Sequence, residues 1–404
     1  MTRRVFNLIV RIGLFAVILA LGTMTALTIG ETPGLALADL SDAAVQAIAT
    51  SARSEVLYTA LAGGVQPAGL YRSEDGGQTW QVVGSGPGAA IASLTIDPDH
   101  SQILYAGTAG GPVGVTNNIW RSEDGGQSWR NFSLPLPASP ARLVPAVTAM
   151  AVDPTQPERL YVGTAGQGVY RFDLGRVGYE LVGGLTLATA HVKELVVSND
   201  GRLYALTNEG LYVTSGDSWR RLDTVPETPI SLAVAPGNPQ TLYAGGPSMG
   251  AYRSDDGGQS WMSISAGLGL TPGAALRVTA LAVDKESDRH LLAATAYGLG
   301  SQLAPGSLYE SYDGGNNWRK VADLDSLVHE LTLDQRITHA ATATGLKRYG
   351  EGVEAGEAKA APPLQQLTNP TGIQLLVLSL TVGLAGLVLV GRLEWLLKRL
   401  RGTS

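Results

Sequence analysis

The chain has 404 residues, with 51 glycines and 21 prolines; turn formers reach about 18% against an average near 12%. Charged residues make up 16% and hydrophobic residues 44%, which excludes a helical bundle or coiled coil rich in Ala, Glu, Lys and Leu, and excludes a disordered chain. Cysteine is absent, which removes disulfides, thiol catalysis and thiolate-bound metals, and the net charge is −6.

That charge is unevenly spread. Arg3, Arg4 and Arg11 against Glu31, and Arg392, Lys398, Arg399 and Arg401 against Glu394, contribute +2 and +3 and leave −11 over residues 39–371. An acidic body repels phosphate backbones, so nucleic acid is not an expected partner.

Residues 1–38 read as a secretory signal or uncleaved signal anchor. A basic start precedes an apolar run over 12–29, and the small-residue pattern Ala36-Leu37-Ala38 stands before Asp39.

Residues 39–349 carry a seven-fold repeat. A Leu-Tyr strand recurs at Leu57-Tyr58, Leu104-Tyr105, Leu160-Tyr161, Leu203-Tyr204 and Leu242-Tyr243, with weaker copies at Leu291-Leu292 and Thr338-His339. The mean interval is about 47 residues, and the apolar spacing is two rather than 3.6. An alternating segment precedes each copy and a Gly-apolar-Tyr-Arg strand follows it, as at 69–72, 168–171 and 250–253. A unit of three or four strands cannot bury both faces alone, so the expectation is an all-β, seven-bladed β-propeller. No box follows the last copy, so blade seven is expected to have three strands, or to borrow an outer strand from residues near 35–40.

The turn after the third strand reads Ser73-Glu-Asp75-Gly-Gly77-Gln-Thr-Trp80. It returns as Ser122, Asp124, Gly126 and Trp129, as Ser254, Asp256, Gly258 and Trp261, and as Ser311, Asp313, Gly315 and Trp318. Decayed copies stand at Asp173 to Tyr179 and at Asp217-Ser-Trp219. A short carboxylate accepts N–H bonds within its own turn, glycine permits positive φ, and the Trp buries a large ring. A calcium-loop reading fails because the coordinating Glu of an EF-hand is missing.

These residues resemble the Asp-box, or BNR, repeat of the sialidase-like superfamily over about residues 45–349. The resemblance implies that the boxes are structural and peripheral. That family includes sialidases, xyloglucan-type glycosidases, sortilin-like receptors and photosystem II stability/assembly factors, and this chain is closest in character to the last.

Residues 350–371 read as a stalk. Residues 372–392 form one C-terminal transmembrane helix, about 30 Å long at 1.5 Å per residue, and 393–404 a basic cytoplasmic tail with an interfacial Trp395. Both ends place the propeller on the extracytoplasmic side of a cell membrane, with one span or, if the leader stays, two.

Catalytic signals are sparse. The sialidase Phe/Tyr-Arg-Ile/Leu-Pro segment is missing from 39–72, and every Trp outside the tail belongs to a box or, for Trp120, to a repeat strand. Gly246-Pro-Ser248-Met-Gly250 matches a nucleophile-elbow pattern but joins two strands. His100, His191, His290, His329 and His339 lack metal-ligand spacing, so no metal or other cofactor is expected. Glu194 and Glu330 share one register in the inner strands of blades four and seven and are the weak catalytic candidates, as paired carboxylates serve glycosidases. Four long loops, 107–118, 133–146, 266–277 and 295–307, share the face opposite the boxes. Arg142 and Arg277 stand there as candidate binding residues for a partner's carboxylates. The expected function is a membrane-tethered scaffold or assembly factor that binds membrane-protein partners; the alternative is a glycoside hydrolase acting on an external glycan.

Overall fold

A computed structural model describes Leu40 and residues 43–350, apart from short segments at 52–54, 65–67, 85, 89, 110, 113–118, 132–142, 176–177, 216–217, 271–272, 301 and 335–336. Six antiparallel four-stranded meanders fold from residues 43–84, 91–131, 147–181, 192–221, 231–263 and 275–323. A seventh sheet, 328–350, has three strands among the described residues. The first strand of each blade touches those of its neighbours in cyclic order, and Val328–Asp334 closes onto Ala43–Thr50. The chain is an all-β, seven-bladed propeller.

The Leu-Tyr repeat has a packing cause. A blade's second strand lies between two neighbouring blades, so both its faces are covered. Leu104–Thr108 and Leu203–Thr207 are buried at every position, and Tyr58, Tyr105, Tyr204 and Tyr243 have no exposed surface. The core is accordingly divided into seven apolar clusters, each joining residues of two adjacent blades.

The boxes sit at these seams. In the first, the Ser73 hydroxyl donates to Asp75 Oδ1 at 2.8 Å and accepts from Gly77 N at 2.8 Å. Asp75 Oδ1 also accepts from Gln78 N and Thr79 N, each at 2.9 Å. The same pattern recurs at Ser122/Asp124, Ser254/Asp256 and Ser311/Asp313. Hydrogen bonds from Ser128 and Asn317 hold the Asp124 and Asp313 carboxyls down at about 2. The second glycine of each box has positive φ, 79° at Gly77 and 93° at Gly126, and faces the preceding blade with no room for a Cβ. At Gly126 that atom would meet Leu70 at 2.4 Å, and at Gly258 it would meet Leu222 at 2.5 Å.

Two of the four expected loops take a different form. The 295–307 stretch is a β-hairpin, formed by Ser287–Leu299 and Gln302–Ser311, and 275–277 belongs to the inner strand Ala275–Asp284. Blade six is therefore raised above the ring as three paired strands, with Ala275 opposite Gly298 and Leu299 opposite Gln302. The other two loops meet each other, Gly111–Pro112 pairing with Leu143–Val144. Among the described residues no helix is long and apolar enough to cross a membrane. The expected leader, stalk, span and tail lie outside the described residues.

Candidate functional site

The first strands surround a central cavity of about 390 Å³. In six of the seven blades this strand has a register break at the equivalent position, between Val45 and Ala47, Ile91 and Ser93, Val147 and Ala149, Val192 and Glu194, Val278 and Ala280, and Val328 and Glu330. An inserted residue at a β-bulge lets two consecutive side chains turn the same way. Lys193 with Glu194, and His329 with Glu330, thereby line the same cavity.

At five places in the ring a residue at or beside this position stitches its blade to the next. Ser93 Oγ donates to Val147 O at 3.2 Å, Thr148 Oγ1 to Val192 O at 2.6 Å, and Ser231 Oγ to Val278 O at 3.0 Å. The two glutamates accept instead: Glu194 Oε2 from Leu232 N, and Glu330 Oε2 from Ile48 N across the ring closure, both at 3.2 Å. Desolvation pushes Glu194 up to about 8, aided by the charge of Glu330, and pushes Glu330 up to about 7. The pair thus holds protons near neutral pH. No arginine, tyrosine or tryptophan lines the cavity among the described residues; Lys193 and His329 stand beside the two carboxyls.

The raised protonation has a stability consequence. Between their ordinary 4.5 and the folded values, the folded state holds protons that the unfolded chain releases, so stability falls as pH rises through that window. His339 runs the other way. Burial depresses it to about 4 while its Nε2 meets Gly76 O at 3.1 Å, so its contribution grows between about pH 4 and 6.5 and is complete above that. His290, raised by its bond with Glu310, has the same sign as the glutamates. From pH 6.5 to 9 the wild type should lose about 1–2 kcal/mol, with channel water moderating the figure. The Glu194→Gln/Glu330→Gln variant should lose markedly less in urea titrations. Equal slopes in the two proteins would show that these carboxyls are ionised in the fold.

Arg277 lies inside the raised strand of blade six, opposite Ala296, and not in a loop ahead of it. It is half-buried, and its Nε has no hydrogen-bond partner. Arg142 lies outside the described residues. The Gly246–Gly250 turn runs alongside Arg277, with Met249 bridged to Leu276 and Val278 N donating to Gly246 O at 3.0 Å. Glu227 clamps this turn by accepting from Ser248 Oγ and, at 2.9 Å, from Met249 N. The elbow-like serine is thus tied to a structural carboxylate. Around this rim stand three exposed apolar side chains, Met249 at 58%, Leu270 at 60% and Leu303 at 46%. Leu270 follows Gly269, whose carbonyl accepts from Tyr297 of the hairpin at 2.9 Å. Sequence reasoning missed Glu227 and these apolar residues; their signal was apolar side chains placed among turn formers.

Fold and boxes together define an Asp-box, or BNR-repeat, β-propeller. Its fold is shared with two structures of YCF48 and with an ancestral GH74 enzyme. The Sortilin-Vps10 family model (sortilin, neurotensin receptor 3) matches residues 68–171. The structure of YCF48 bound to D1 peptide is similar with a TM-score of 0.55 at 18% identity, over 77% of this chain and 95% of that one. YCF48 from Cyanidioschyzon merolae gives 0.53 at 15%, over 78% and 97%. An ancestral GH74 enzyme gives 0.55 at 17%, over 78% of this chain and 45% of its own. No curated protein sequence matches the chain.

Proposed function

We propose that this chain is a membrane-tethered, extracytoplasmic propeller that binds peptide segments of membrane-protein partners on the rim raised by blade six. The observation that carries the reading is the rim raised by blade six, along which Met249, Leu270 and Leu303 stand exposed and whose inner strand carries Arg277, on an otherwise acidic body. Exposed apolar anchors and a guanidinium on one rim suit an extended segment ending in, or carrying, a carboxylate. The likeness to YCF48, solved with a D1 peptide, supports peptide binding. The apolar run over 372–391 with its basic flank supports the tether.

The test is affinity capture of the full chain from detergent-solubilised membranes. The Arg142→Ala/Arg277→Ala variant should sediment with membranes and give the wild-type urea midpoint, yet should recover partners at least several-fold less well. Undiminished capture, or a wild-type chain that leaves the membrane without detergent, would overturn the reading.

A second reading, glycoside hydrolysis, has one observation in its favour: Glu194 and Glu330 hold protons in a single cavity. Against it stand the occupation of both carboxyls by backbone N–H groups and a lining without Phe, Tyr or Trp among the described residues.

A further inference from the structure

Blade six departs from the other box-bearing blades at three linked positions. In blades one, two and five the second-strand tyrosine pairs with an arginine of the third strand, Tyr58 with Arg72, Tyr105 with Arg121 and Tyr243 with Arg253. Each arginine lies over its tyrosine ring, 5.8–6.0 Å from the centroid. Each also bonds the acidic residue that follows the box serine, Glu74, Glu123 or Asp255. In blade six these three places hold Leu292, Glu310 and Tyr312, with Leu292 paired to Glu310.

The seam that follows differs as well. The first glycine of a box sits against the tyrosine of the preceding blade. A Cβ on Gly125 would stand 3.0 Å from the Tyr58 hydroxyl, and one on Gly314 would stand 3.3 Å from that of Tyr243. No box sequence follows Gly345–Gly350, so no such turn exists to seat on Leu292. A cavity of about 560 Å³ stands at this place, bordered by Leu292 of blade six and by Thr338 and Tyr349 of blade seven.

Its polar walls are held in place. His290, 6% exposed, meets Asp284 Oδ2 at 2.7 Å through Nδ1 and Glu310 Oε1 at 2.9 Å through Nε2. Ionised carboxylates only accept, so both ring nitrogens donate and the imidazole is charged. The Tyr312 ring stacks on it, with centroids 4.4 Å apart and planes at 12°, and its hydroxyl donates to Glu310 Oε1 at 2.8 Å. Fixed in this way, Tyr312 is still 62% exposed and borders the cavity. Arg319 donates to Glu310 and Lys320 pairs with Asp323, and each side chain has further N–H donors.

These walls select a ligand by charge and shape. The carboxylates of Asp284, Glu310 and Asp323 are matched by His290, Arg319 and Lys320, which leaves no net charge to draw in an anion or a cation. Among the described residues no group of His, Asp and Glu could hold a metal ion. An immobilised aromatic ring beside both donors and acceptors suits a neutral ring with an apolar face and a rim of hydroxyls. The volume lies within the range of about 300–1,000 Å³ usual for small-ligand sites.

We propose that the seam between blades six and seven binds a neutral saccharide, one sugar ring stacking on Tyr312 while its hydroxyls donate to Asp284 and accept from Arg319 and Lys320. The site lies at the box end of the strands Ser287–Leu299 and Gln302–Ser311, whereas Leu303 of the rim lies at their other end. Either site can therefore fail without the other.

The test is saturation-transfer NMR on the full chain, in a detergent without a sugar headgroup, with cellohexaose, maltohexaose, mannohexaose or chitohexaose at millimolar concentration. At least one of them should receive saturation from the protein. Tyr312→Ala should weaken its binding about tenfold, as the loss of one stacking contact does, while Tyr312→Phe stays within about threefold. Both variants should keep a urea midpoint close to that of the wild type. Leu303→Ser, at the rim, should bind the saccharide as the wild type does. No transfer to any of these sugars, undiminished transfer with Tyr312→Ala, or an equal loss with Leu303→Ser would overturn the proposal. Protein adducts from a photo-crosslinking residue at position 312 in native membranes would overturn it too, by making the seam a protein interface.

Discussion

Replacing Trp219 by alanine is expected to destabilise the propeller by about 3–5 kcal/mol, within the range for buried aromatic truncations, and to lower the melting midpoint by roughly 10 °C. Trp219 is 7% exposed, packs in the cluster shared by blades three and four, and donates from Nε1 to Val182 O of the preceding blade at 2.8 Å. Truncation leaves a cavity at a seam and deprives the carbonyl of half-buried Val182 of its donor, and these two costs add. Trp261 stands in a well-formed box but is half-buried, and its Nε1 has no partner. Trp261→Ala should therefore cost less, about 1–3 kcal/mol. The comparison separates the two parts of the repeat, since Trp219 follows a decayed box and yet makes the stronger contact. Urea melts of the full chain decide it; a Trp219→Ala midpoint equal to the wild type would mean that the seams do not carry the stability of the ring.

Much of the ring was legible in the sequence because its cause is local and repeated. Sandwiching each second strand between two blades demands a buried pair at the same place seven times; six copies are apolar, from Leu57-Tyr58 to Leu291-Leu292, and the seventh is the buried Thr338-His339. The three described strands of blade seven agree with the absence of a box turn after Arg348. The raised hairpin was not legible. Gly298, Gly300, Pro305 and Gly306 read as loop punctuation, whereas the strand accommodates Pro305 opposite Ala296 beside a register shift and turns at Gly300. The sequence also placed Glu194 and Glu330 in one register but not their partners. Those partners are backbone N–H groups 38 and 282 residues away, and backbone groups leave no residue-type signal.

The rim is the part of this account that gives the propeller a purpose, and its three exposed apolar residues belong to different segments that only the fold brings together. A partner segment seated there must come within side-chain reach of Leu303 and Met249. It need not approach Val82, on the outer strand Gln81–Gly84 of blade one, although that residue is as exposed, at 56%. Burying two or three such side chains with Arg277 supplies the kind of anchor that dominates binding, so adduct yields should differ by an order of magnitude or so between the two places. The direct measurement installs a photo-crosslinking residue at position 303, 249 or 82 of the full chain in its own membranes and identifies the adducts by mass spectrometry. Protein adducts from positions 303 and 249 that converge on the same partner segment, with position 82 blank, are the predicted result. Adducts from position 82 alone, or a chain that gives none from the rim while it hydrolyses an external glycan, would contradict it.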